Sequence, residues 1–262
     1  MKEALCTAIA AALLLPALAM AQSAFNGTWK VDLQKSQLSQ KPAVMTLKDG
    51  VYHCVSCVFH ELTVRADGRD HTVMGHPGID AISVQVLNDH SIRLTSRNDG
   101  KTVAIQTMTV APDGKTATMT IASYRGKAPV TGRVVLDRVA KGPAGENAIA
   151  GAWRTATLSD VSANGLSFTY RIEGGAVSLS SPTGMSYTAK MNGAAAPVHG
   201  VPGHVTVSVH RLDSHAFRET FTRDGKMVGA DTMTVAANGK TLKAVDHDYL
   251  RKTTSTFVAD KQ

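Results

Sequence analysis

The chain of 262 residues carries a formal net charge of +7, with 28 lysines and arginines against 21 aspartates and glutamates. The basic residues are scattered singly, many of them directly after Asp-Gly pairs, and aromatic residues make up only 5% of the chain. Neither a basic block nor a base-stacking platform is present, so nucleic acid is excluded as a partner and the surplus charge reads as a solvated surface.

At the N-terminus, Met1-Lys2-Glu3 leads into an apolar run from Ala8 to Leu15, then Pro16 and the small-residue site Ala19-Met20-Ala21 before Gln22. This is the pattern of a secretory signal peptide, residues 1–21, cut after Ala21. The run falls short of the roughly 20 apolar residues needed to cross a bilayer, so the expectation is export across the inner membrane to a periplasmic or extracellular location, without a membrane-spanning segment. Cleavage removes Cys6 and leaves Cys54 and Cys57. In an oxidising compartment this pair fits a disulfide, and Val51, Tyr52, Val55, Val58 and Phe59 around it favour strand over the helix N-terminus that a redox-active Cys-x-x-Cys uses. His53 and His60 flank the cysteines, yet adjacent strand residues face opposite ways, so His53 and Cys54 are poorly placed to share a zinc ion and no metal is expected.

Turn chemistry then punctuates the chain at Asp49-Gly50, Asp67-Gly68, Asn98-Asp99-Gly100, Pro112-Asp113-Gly114, Gly174-Gly175, Asn192-Gly193, Asp224-Gly225 and Asn238-Gly239, and the runs between them read as short strands. These include Ala81–Leu87, Thr102–Val110, Val205–Val209 and Met227–Val235. The stretch from Val73 to Tyr124 matches Val198 to Tyr249 without a gap at an offset of 125 residues. Gly75, Pro77-Gly78, Asp99-Gly100-Lys101, Thr107-Met108-Thr109-Val110-Ala111 and Gly114-Lys115-Thr116 recur as Gly200, Pro202-Gly203, Asp224-Gly225-Lys226, Thr232-Met233-Thr234-Val235-Ala236 and Gly239-Lys240-Thr241. Turn formers and alternating strand residues are shared, which marks a repeated backbone course. Met108 and Val110, like Met233 and Val235, share one strand face while the threonines take the other, as in antiparallel sheets with one buried face.

The repeat begins earlier, with Asn26-Gly27-Thr28-Trp29-Lys30 echoed by Ala150-Gly151-Ala152-Trp153-Arg154. Lys141-Gly142-Pro143-Ala144-Gly145 has the composition of a linker. The expected organisation is all-β: two tandem antiparallel β-barrel or barrel-like sandwich repeats, residues 22–141 and 142–262.

The Gly-x-Trp at the start of each repeat, Gly27 with Trp29 and Gly151 with Trp153, followed by a meander of short strands, resembles the lipocalin and fatty-acid-binding-protein group of β-barrels. The resemblance implies tryptophans that close one end of each barrel and a cavity for a small apolar ligand.

Other chemistry is weakly represented. The chain lacks a Gly-x-Ser-x-Gly elbow, a phosphate-binding glycine loop and a His-Glu-x-x-His helix. His204 and His210 share strand parity but lie roughly 20 Å apart along a strand. His71 with His76 and the cluster Asp246-His247-Asp248 read as solvated positions, and His90 and His215, equivalent in the two repeats, as hairpin residues. No catalytic residue, cofactor or metal is assigned. The functional expectation is a non-enzymatic binding protein for a small apolar ligand, with Trp29, Met108, Val110, Trp153, Met233 and Val235 as ligand-facing candidates. Two alternatives stand beside it: a structural or protein-interaction module of the cell envelope with filled cores, and an enzyme using His/Asp groups.

Overall fold

The computed structural model describes residues 23–56 and 61–262. The expected leader and Cys57 lie outside the described residues. Ten strands come first: β1 (Gly27–Gln37), β2 (Ala43–Lys48), β3 (Val51–Cys54), β4 (Leu62–Arg65), β5 (Asp67–Thr72), β6 (Ala81–Asn88), β7 (Ser91–Asn98), β8 (Lys101–Val110), β9 (Thr116–Ser123) and β10 (Val130–Lys141). After β11 (Gly151–Ser159) a single turn of helix, α1 (Ala163–Leu166), precedes β12 (Ser167–Glu173), β13 (Ala176–Ser180), β14 (Ser186–Lys190), β15 (Ala196–Pro197), β16 (Val205–Arg211), β17 (Ala216–Arg223), β18 (Lys226–Val235), β19 (Thr241–Asp248) and β20 (Thr253–Lys261). The strands form two antiparallel ten-stranded sheets, each nearly closed into a barrel.

The hairpins follow directly from the turn residues. Asp49-Gly50, Asp99-Gly100, Gly174-Gly175 and Asp224-Gly225 all have positive φ at both positions, the geometry whose twist matches that of the flanking strands. Asp67-Gly68 differs from its sequence reading: it starts β5, where the register against β6 shifts between Asp67 and Asp70, so the glycine serves a bulge and not a hairpin. Alternation decides which face is inside. Met108, Val110, Met233 and Val235 are buried while Thr109 and Thr234 between them are exposed.

The sheets do not follow the sequence repeats at their first strands. β1 pairs with β12 on one side and β20 on the other, whereas β11 pairs with β10 and β2. One sheet, here the first barrel, is therefore the continuous run β2 to β11; the second barrel is β1 together with β12 to β20. The expected units 22–141 and 142–262 consequently do not coincide with the two sheets. The glycine-rich segment expected as a linker is instead the return between β10 and β11. It is held there by a Gly142 N–H···O=C Ala150 bond of 3.2 Å and by the Arg138 guanidinium, which donates to the carbonyls of Ala150 and Ala148 at 2.7 and 2.6 Å. The chain actually crosses between barrels at Leu38 to Pro42 and around α1.

Each barrel places its tryptophan alike. Gly27 and Gly151 have φ of 133° and 137°, a region that L side chains rarely adopt. The fold-back they permit lets Trp29 Nε1 donate to the Phe25 carbonyl and Trp153 Nε1 to the Ile149 carbonyl, both at 2.8 Å. Lys261 lies 5.0 Å from the Trp29 ring and Arg138 4.0 Å from the Trp153 ring, so each buried indole is covered by a cation from the last strand of its meander. The two Pro-Gly turns of the repeat meet between the barrels: a Cβ on Gly78 would stand 2.7 Å from Pro202 Cβ, so only glycine fits at this contact.

A fragment spanning residues 38–162 holds every strand of the first barrel and is expected to give a cooperative thermal transition by circular dichroism. A fragment spanning 22–141 lacks β11 and leaves β2 and β10 with bare edges; it is expected to show none, and a cooperative transition from it would contradict the strand exchange.

Candidate functional site

Two interiors built on one backbone course have different contents. The register equates Phe25 with Ile149, Phe168 with Ala43, Tyr170 with Met45, Tyr187 with Leu62, Phe217 with Ile92 and Phe221 with Ser96. At all six positions the larger side chain belongs to the second barrel. There Phe25 packs on Phe217 with ring centroids 4.5 Å apart, and Tyr170 meets Phe217 edge-on at 5.5 Å. Aromatic side chains thus fill the second barrel, although the chain is poor in them overall.

The first barrel, carrying the smaller residue at each of these six positions, lines most of an open cavity of about 690 Å³, within the size range of small-molecule sites. Leu62, Ile82, Ile92, Met119 and Leu136 give it an apolar wall. Gln106 and Ser96 interrupt that wall on β8 and β7. Its mouth faces the other barrel, where Asp246, Asp248, Arg251, Ser255 and Phe257 complete the lining. The crossing segment closes over the same place, with Lys41 Nζ donating to the Arg251 carbonyl at 2.6 Å and the Ser39 N–H to Ser255 Oγ at 3.1 Å.

Of the six ligand-facing candidates, Met108 and Trp153 line this cavity. Val110 is buried in the same core without lining it. Trp29, Met233 and Val235 sit in the packed core of the second barrel. The cavity thus brings together two of the three candidates on the first barrel's strands, and the other three lie in the core of the second barrel.

Sequence reasoning missed a row of carboxyl groups inside the second barrel. Glu219 on β17 stands opposite Asp231 on β18, which stands opposite Asp246 on β19. Glu219 is 1% exposed, and its Oε1 accepts hydrogen bonds from Tyr170 Oη at 2.7 Å and from Tyr187 Oη. Burial pushes the Glu219 carboxyl up to about 7, against the lowering effect of the two tyrosine bonds. Asp231 is also raised, first by burial and then by the neighbouring charges of Glu219 and Asp246. Its hydrogen bond with Asp246 raises Asp231 and lowers Asp246, which puts the shared proton on Asp231. The signal lay in Phe217-x-Glu219-x-Phe221 and Asp231-x-Met233-x-Val235, where an acid occupies the parity of the apolar face. The corresponding row in the first barrel is Leu94, Gln106 and Ile121.

The histidines are dispersed. His90 and His215 occupy matching hairpin ends, their carbonyls accepting from the Val110 and Val235 N–H groups at 2.8 and 2.9 Å. His71 bonds Asp67 at 2.8 Å and His53 bonds Glu61, while His76 is buried at the cavity wall. His60 lies outside the described residues. Among the described residues no group of three or more His, Cys, Asp or Glu is placed to hold a metal, and no helix is long and apolar enough to cross a membrane. Comparison with protein-family models, curated proteins and solved structures returned no match.

Glu219 gives stability a definite pH dependence. A carboxyl whose value rises on folding, from 4.5 to about 7, stabilises the fold fully below its unfolded value and loses that contribution as pH climbs through 7; the difference corresponds to roughly 3 kcal/mol. Asp231 acts with the same sign. The melting temperature is expected to fall between about pH 5 and about pH 8, by roughly 5 to 10 °C for a chain of this size. Glu219→Gln is expected to flatten that descent in a thermal scan at each pH.

Proposed function

We propose that the protein is an exported, non-enzymatic carrier that holds a small apolar molecule inside the first barrel. One observation carries this reading: of two interiors with matched backbone register, one is filled by aromatic side chains and the other is hollow and apolar. A void of this size in a sheet protein costs packing energy, because its lining loses dispersion contacts that a bound molecule restores. Cavities are tolerated where a ligand occupies them. The tryptophan at one end of each barrel and the hollow interior agree with a lipocalin-like arrangement. The filled second barrel supports a structural part for that half, covering the cavity mouth with the β19–β20 hairpin.

The test is saturable binding of an environment-sensitive apolar dye, monitored by fluorescence and by native mass spectrometry for a co-purified molecule. In the variant Ile92→Phe with Leu62→Phe, which restores at these positions the bulk found in the second barrel, dye affinity is expected to fall by at least about tenfold with the melting temperature maintained or raised, since the added rings enter existing space. Unchanged dye affinity would place the dye elsewhere.

Export and oxidation belong to the same proposal. The mature chain is taken to begin at Gln22, with Cys54, fully buried in the first barrel's core, joined to Cys57. So short a loop adds little through chain entropy and serves to fix the end of β3. Intact mass of protein recovered from the exported fraction is expected to match a chain from Gln22 without alkylation by iodoacetamide before reduction, and with two alkylations after it.

A further inference from the structure

Resting on the carrier reading, we infer that the ligand is a neutral molecule whose apolar body bears one hydrogen-bonding group of the carbonyl, ester or alcohol class, and that the Gln106 amide and the Ser96 hydroxyl bind that group.

Gln106 sits between Leu94 and Ile121 in register across β7, β8 and β9. Ser96 lies two residues beyond Leu94 on the same face, opposite Ala104, so the amide and the hydroxyl are diagonal neighbours on adjacent strands, within reach of a single ligand atom or group. Both line the cavity. Among the described residues neither side chain makes a hydrogen bond, whereas the buried side chains of Ser91, Tyr170, Tyr187 and Glu219 do. Both are half-buried and open to the cavity, so a ligand that excludes solvent from them must supply the hydrogen bonds that solvent would make.

The second barrel shows that the fold does not require them. Its equivalent of Ser96 is Phe221, an apolar filler, and its equivalent of Gln106 is Asp231, which is hydrogen-bonded to Asp246. At these two matched positions the hollow barrel carries an unpartnered donor and acceptor and the filled barrel does not. An amide with a hydroxyl offers both donors and acceptors, which suits a carbonyl or an alcohol oxygen.

Neutrality follows from the wall. The strands of the first barrel contribute no carboxylate, lysine or arginine to the cavity lining. Tyr52 is held in its protonated form by burial. The charged side chains near the cavity are at its mouth, where Arg251 and Asp248 pair with each other at 3.4 Å, Asp246 is hydrogen-bonded to Asp231 and Lys41 donates to the Arg251 carbonyl; the remaining titratable group of the lining is His76, from the loop before β6. An ionised group beside Gln106 would give up its hydration and meet no opposite charge.

The experiment is displacement of a bound apolar dye from the full-length protein by probes sharing one chain: lauryl alcohol, methyl laurate, laurate, lauryl amine and dodecane. The alcohol and the ester are expected to displace the dye at concentrations about tenfold lower than laurate, the amine or the hydrocarbon. In Gln106→Leu with Ser96→Ala, with each displacement read against that variant's own dye affinity and with the melting temperature as the check on folding, alcohol and ester are expected to lose their advantage over dodecane. Laurate or the amine binding as well as the alcohol would overturn the inference, as would an unchanged order in the double variant, and in either case the carrier reading survives. Absence of saturable dye binding in the unaltered protein would overturn the carrier reading and this inference together.

Discussion

Sheet edges present rows of unpaired N–H and C=O groups, and in this chain each barrel closes most of that gap with a first strand drawn from the other sequence repeat. β1 is bonded on both sides by second-repeat strands, and β11 on both sides by first-repeat strands. The position of each tryptophan depends on that exchange, because Trp29 and Trp153 are carried into their barrels by the exchanged strands. The cations that cover them come from β20 and β10, the strands to which β1 and β11 bond. The two halves are thereby bound more firmly than their surface contacts would achieve, since separating them means removing a central strand from a sheet.

On this shared backbone the two interiors have diverged in volume and polarity. Six matched positions give the second barrel phenylalanine or tyrosine where the first has isoleucine, leucine, methionine, alanine or serine. Filling one interior with rings brought a buried carboxyl with it: Glu219 accepts from two tyrosines whose hydroxyls would otherwise be stranded. The first barrel has no acid in the matching row, and its buried rings are Tyr52 and Trp153. Beside those two rings its interior is lined by methionine and aliphatic groups, and methionine adjusts to irregular contents.

Much of this was legible in the sequence. Asp49-Gly50, Asp99-Gly100 and Asp224-Gly225 specify hairpins because few other dipeptides accept positive φ twice in succession, and the alternation Met108/Val110 against Thr107/Thr109 fixes which face is buried. The strand exchange was not legible, because turn residues and alternation describe a strand and its immediate neighbour, and both arrangements of β1 and β11 satisfy them equally. Lys141 to Gly145 has linker composition in either arrangement; what makes it a return loop is Arg138, ten or more residues from the carbonyls it binds in the case of Ala148 and Ala150. Trp29, Met233 and Val235 were expected at a ligand by symmetry with Trp153, Met108 and Val110. Symmetry of the wall carried no information about Phe217 and Phe221, which occupy the space in front of it. Glu219 was readable in principle, as an acid at apolar parity between two phenylalanines.

The exchange also sets an order of assembly. During synthesis the first barrel's strands emerge as one uninterrupted run, and nearly all of its pairings join consecutive strands, which close quickly. β1 precedes them all, yet its partners are β12 and β20, so Trp29 must wait for Lys261 with the whole first barrel in between. The N-terminal strand therefore spends the longest time exposed as a bare, partly apolar edge, and the nascent protein is most vulnerable to chaperone capture or aggregation at that strand until the last residues arrive.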